Sequence, residues 1–141
     1  MGLESREVKS LLCLRNLLLH LRGNITQWLL GGIGGRSFIR DRRAEFARRG
    51  ALPTKDLMDG LAQTVDEACL VLRSATAADL ARAHTIQGYA VTGIAAVMHA
   101  VEHFAFHTGQ IVTTTKWLLD VDLSLYDAEG HRLDERREGT P

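Results

Sequence analysis

The sequence predicts a single all-α domain, and three observations carry that expectation. Its 141 residues suit one hydrophobic core. Three long stretches space their apolar residues by three and four positions, the period of an amphipathic helix. Glycine and proline clusters separate those stretches.

The first stretch runs from about Val8 to Leu30, where Leu11, Leu12, Leu14, Leu18, Leu21, Ile25, Trp28 and Leu29 recur at helical spacing. Gly31, Gly32, Gly34 and Gly35 are expected to stop it. This glycine run follows a helix and lacks the Lys-Ser/Thr ending of a phosphate loop, so it does not point to a nucleotide. From Arg36 to Gly50, six arginines alternate with Asp41 and Glu45 around few apolar residues. The mixed signs and the lack of interleaved aromatics indicate a solvated connector and not a nucleic-acid surface. Whether it orders over a site as a lid stays open at this level.

Pro53 and Thr54 open the second helix, with Thr54 as the expected N-cap and Leu57, Met58, Leu61, Val65, Ala68 and Leu72 on its apolar stripe, ending near Ser74. Thr76-Ala77-Ala78-Asp79 has the form of a capping box. Thr85, Ile86, Tyr89 and Val91 around Gly88 then predict a small hairpin or extended crossover. Thr92 is positioned to cap a last helix over Gly93–Leu119, which at about 1.5 Å per residue reaches about 40 Å. Residues 1–119 form the expected domain, and 120–141 a polar C-terminal tail with a turn at Asp127-Ala128-Glu129-Gly130.

The charge balance, 17 basic against 17 acidic residues, creates no net field toward nucleic acid or anionic membranes. The Leu11–Leu30 run is interrupted by Arg15, Asn16, His20, Arg22 and Asn24, so no segment reads as a membrane span. A start rich in Glu4, Arg6, Glu7 and Lys9 is a poor signal peptide, and a cytoplasmic location is expected. Cys13 and Cys69 lie in apolar stretches away from other metal-ligand types, which predicts buried, reduced thiols.

Histidines carry the chemistry. His99, His103 and His107 succeed one another at intervals of four, so each is rotated by about 40° from the last and all share one helix face. Two imidazoles at i and i+4 present two nitrogens to one ion, and a third ligand must come from another element. His20, in the first helix on a largely apolar face, is the best-placed candidate. Two other patterns compete. The stripe can be a hydrogen-bonded core network without metal. His99-Ala100-Val101-Glu102-His103 also spells H-x-x-E-H, the arrangement of inverted zinc peptidases with Glu102 as base, although such sites need an acidic third ligand far downstream and only 38 residues follow His103, most of them tail.

Two segments resemble a known family. They are Leu18-Leu19-His20-Leu21-Arg22-Gly23-Asn24 with Gln27-Trp28, and Val101-Glu102-His103-Phe104-Ala105-Phe106-His107-Thr108-Gly109-Gln110-Ile111. Together with Arg40-Asp41-Arg42 and Glu45-Phe46 they look like the DinB-like superfamily, in particular small bacterial members of unassigned function, over about Asn16 to Leu119. The resemblance implies an up-and-down four-helix bundle, commonly dimeric, with a divalent metal held by His20, His103 and His107. Asn24, His99 and Gln110 are then candidates to support those ligands. Zinc, nickel, iron and manganese all accept imidazole and are not distinguished. Characterised relatives include metal-dependent transferases that join low-molecular-weight thiols to electrophiles; the alternative is a non-catalytic, metal-stabilised or metal-free dimeric module. Only about ten residues precede Leu11, so most of the family's first helix is missing. Either these residues extend the ligand-bearing helix, or a partner chain covers the face, or the start differs from that of relatives. An uncovered apolar face predicts a homodimer.

Overall fold

The computed structural model describes residues 3–47 and 52–133. The end of the expected connector, 48–50, and the end of the expected tail, 134–141, lie outside the described residues. The elements in chain order are α1 (Leu3–Ile25), a π-helical segment (Thr26–Ile33), α2 (Arg42–Ala47), α3 (Thr54–Ser74), α4 (Ala77–Ala81), β1 (Ala83–Ile86), β2 (Tyr89–Thr92) and α5 (Gly93–Leu119). The chain is thus mostly helical with one two-stranded hairpin. None of its described helices is long and apolar enough to cross a membrane.

α1 begins at Leu3, so the residues ahead of Leu11 extend the ligand-bearing helix. The helix also outlasts its expected stop. From Thr26 it widens into π geometry and runs through Gly31 and Gly32 to Ile33, where the Gly34 amide donates five residues back to the Leu29 carbonyl at 2.9 Å. Glycine at 32 serves contact here and not termination: a Cβ built there would lie 2.3 Å from Cδ1 of Ile86. That absence lets the hairpin press onto the helix and buries Ile86. His84 secures the same junction, with Nδ1 2.7 Å from the Gly32 carbonyl oxygen and Nε2 2.8 Å from that of Asp79.

α3 ends where expected, but Pro53 and not Thr54 is its N-cap, with φ −55° and no side-chain cap bond. The proline ring supplies the entry dihedral that a capping side chain would otherwise favour. α4 carries the expected capping box: the Asp79 amide donates to Thr76 Oγ1 and the Thr76 amide to Asp79 Oδ2. The hairpin turns at Gln87 and Gly88, both at positive φ, a twist that matches the flanking strands. Thr92 caps α5 through the Ala95 amide, and left-handed Asp120 ends it.

α5 runs antiparallel to α1, His20 opposite His103 and Asn24 opposite His99. α3 lies on α1 in the same direction, with Gly60 beside Arg22 and Val71 beside Gly34, so the segment between them crosses back along the molecule. Leu21, Ile25, Trp28, Leu29 and Leu30 form the core with Leu61, Ala68, Ile86, Ala96 and Ala100. Ala96 and Ala100 keep α5 close to α1, because a larger residue at either place would hold the two backbones apart. Between α3 and α5 an apolar groove of about 570 Å³ stays open, with Ile25 and Leu29 at its floor and Val65, Leu72, Val101 and Phe104 on its walls. Three long helices pack together among the described residues, and no fourth closes this groove. Neither cysteine is fully buried as expected: Cys13 is exposed and Cys69 half-buried, both as free thiols. Beyond α5, the Asp127 carboxylate accepts the Glu129 and His131 amides and forms the expected turn at Gly130.

Candidate metal centre

Along α1 and into the π-helical segment the residues Asn16, His20, Asn24 and Trp28 follow one another at intervals of four, and all are buried. His20, Asn24 and Trp28 of this ladder face α5, while Asn16 meets the connector and Leu19 lines a cleft on another side with Arg22 and Gly23. Opposite the ladder stand His99, His103 and His107. His20 Nε2 lies 2.8 Å from His103 Nε2. The His20 and His107 rings meet edge to face at 5.2 Å, and those of His103 and His107 at 4.4 Å. One ring nitrogen from each of the three lies within 4.8 Å of the others, a group able to hold one metal ion.

The supporting candidates divide. Gln110 Oε1 lies 2.6 Å from His107 Nδ1 and accepts its proton, which leaves Nε2 with a free lone pair. Asn24 does not reach His20; its Nδ2 stands 3.4 Å from His99 Nε2. His99 stacks on Trp28 at 3.8 Å and lies outside the triad. With His99 held there and Glu102 exposed, the overlapping H-x-x-E-H pattern is not assembled into a site.

The connector is not merely solvated. Arg40 has a side chain only 4% exposed and makes a double ion pair with Glu45, Nε to Oε1 at 2.6 Å and Nη2 to Oε2 at 2.8 Å. Glu45 Oε2 in turn lies 3.0 Å from His20 Nδ1. Arg40 Nη1 donates to Gln27 Oε1 at 3.0 Å, which also accepts from Gln87 Nε2 of the hairpin turn. Asn16 Nδ2 donates to the Phe46 carbonyl, and the Phe46 ring tilts against His20 at 4.9 Å. Opposite charges five residues apart on a polar segment resembled a solvated face, which is why Arg40 and Glu45, although part of the family resemblance, were given no role at the site. The overlooked signal was Gly23. A glycine inside an amphipathic helix costs about 1 kcal/mol against alanine, and here a Cβ would stand 2.2 Å from Glu45 Oε1 and 2.9 Å from Arg40 Nε.

Electrostatics favour neutral rings. Burial holds His103 down to about 4, reinforced by the neighbouring His107 and His20. Burial also lowers His20, against the opposing hydrogen bond from Glu45, and it lowers His99. Neutral imidazole is the form that binds a metal ion.

No curated protein and no solved structure matches the chain. One family model does, over residues 7–126, a span that takes in most of α1, the connector, the hairpin and α5 with all three clustered histidines. On that match the chain belongs to the family described as protein of unknown function (DUF1572).

Proposed function

We propose that this chain is a DinB-like divalent-metal-binding protein whose ion is held by His20, His103 and His107. The observation that carries this reading is the convergence of three ring nitrogens from two helices, two of the rings with their remote nitrogens against oxygen acceptors. Such outer contacts orient imidazole ligands in metal sites generally.

We further propose a metal-dependent transferase that joins a low-molecular-weight thiol to an electrophile. Three protein ligands leave coordination positions for other molecules, as catalytic sites require and closed structural sites do not. A divalent ion held there supplies Lewis acidity and lowers the pKa of a thiol that reaches it. His20 keeps its Nε2 lone pair toward the cluster through its Nδ1 contact, Gln110 does the same for His107, and Phe46 with the Arg40–Glu45 pair shields one side from water. A second reading, an ion that only ties α1 to α5, is favoured by that same shielding. Cobalt separates the two. The transferase reading expects a cobalt-loaded protein whose visible spectrum shifts on adding a small thiol. A spectrum indifferent to thiol overturns the transferase and leaves the structural role.

We also propose that a second copy of the chain closes the groove between α3 and α5, completing a four-helix bundle around the same core. Its apolar floor and walls support this reading.

A further inference from the structure

We propose that Glu45 is the positioning residue of His20, and that the Arg40–Glu45 pair makes metal occupancy and closure of the connector a single equilibrium. The inference rests on the metal reading above and goes beyond it, because it assigns a role to residues outside the ligand set.

The contacts of Arg40 and Glu45 favour one tautomer of His20. Arg40 is a pure donor, and four of its five hydrogens have oxygen partners: Glu45 Oε1 for Nε, Gln27 Oε1 for one on Nη1, and Glu45 Oε2 and the His20 carbonyl, at 2.8 and 3.3 Å, for Nη2. Nη2 also lies within hydrogen-bond reach of His20 Nδ1, at 3.0 Å, a bond that would need a lone pair on that nitrogen; the carboxylate argues for a proton there instead. Glu45 Oε2, 3.0 Å from Nδ1, is a pure acceptor and requires a proton on that nitrogen. A neutral ring protonated at Nδ1 carries its lone pair at Nε2, the nitrogen that faces His103. Glu45 therefore aims His20 at the triad, and Arg40 fixes Glu45 bidentately.

The pair belongs to the connector, whereas His20 belongs to α1, so the link joins two separate elements. Coupling of this kind is reciprocal: the factor by which the closed connector tightens metal binding equals the factor by which metal holds the connector closed. Gly23 is the backbone provision for it, since only a residue without Cβ lets Glu45 Oε1 and Arg40 Nε lie against α1.

Three measurements on the full chain test this. In metal-free protein, long-range nitrogen–proton NMR reads the His20 tautomer: protonated Nδ1 is expected in the wild type, with the preference lost in Glu45→Ala. Zinc titration against a chelator should show binding weakened by roughly 10–100-fold in Glu45→Ala. Gly23→Ala guards against simple unfolding, because it deletes no polar group and raises helix propensity, while its Cβ displaces Glu45; it should weaken zinc similarly with the helical circular dichroism of the wild type retained. Zinc should slow tryptic cleavage at Arg42 and Arg43 of the wild type by the same factor that the variants lose, and should not slow it in either variant. A His20 protonated at Nε2, or wild-type zinc affinity in both variants, overturns the proposal. Failure of the wild type to bind zinc overturns the metal reading and the coupling together, while the tautomer still judges the role of Glu45 alone.

Discussion

His20 and His103 meet nitrogen to nitrogen: their Nε2 atoms stand 2.8 Å apart although 83 residues separate them in the chain. Two neutral rings at this distance share one proton or one ion, whereas protonation of both would set two N–H groups head to head. The fold selects neutral imidazoles.

A pH dependence follows from that selection. The folded pKa of His103 is depressed to about 4 and those of His20 and His99 are also lowered, whereas the unfolded chain titrates near the ordinary 6.5. Below that value the unfolded state binds more protons, so the stabilisation is present above 6.5 and is lost as pH falls toward about 4. Urea midpoints of metal-free protein should drop over this window, and those of His103→Gln should drop less. Parallel profiles for the two proteins would contradict the assignment.

Gly32→Ala should destabilise the fold by about 1–3 kcal/mol, the usual cost of forcing a methyl group into a packed contact. The new Cβ would meet Ile86 at 2.3 Å, and Ile86 is buried with no room to retreat without shifting the hairpin. Chemical denaturation measures this directly, and an unchanged midpoint would mean that the hairpin is not packed on the π segment as described.

The open groove predicts association. Sedimentation at micromolar concentration should report a dimer, and Val101→Lys, which places a charge on the groove wall, should shift it toward monomer. A wild-type monomer under those conditions would refute the second-copy proposal.

The sequence made most of the helical fold legible, because helices and caps are local. Thr76 with Asp79, Thr92, and the punctuation around Gly88 each announce their element within a few residues. The glycine run misled because its role is set by Ile86, a contact more than fifty positions away that local propensity does not encode. Proline at 53 replaced the cap assigned to Thr54 for the opposite reason, a local backbone preference stronger than a side-chain bond. At the site, the i and i+4 spacing of His103 and His107 was visible, the need for a third ligand pointed to His20, and the resemblance implied the same three. The convergence of the three needed the antiparallel packing of α1 and α5. The role of Arg40 and Glu45 stayed hidden, although the resemblance included both, because their partners, His20 and Gln27, lie on another element; Gly23 was the sign that something approached α1 so closely.

The most direct measurement is the metal content of the purified chain after loading with zinc and removal of the excess, compared with the His103→Ala, His107→Ala double variant. The triad predicts close to one ion per wild-type chain and essentially none in the double variant, with the variant still helical by circular dichroism. Equal zinc in the two proteins would show that His20, His103 and His107 do not hold the ion.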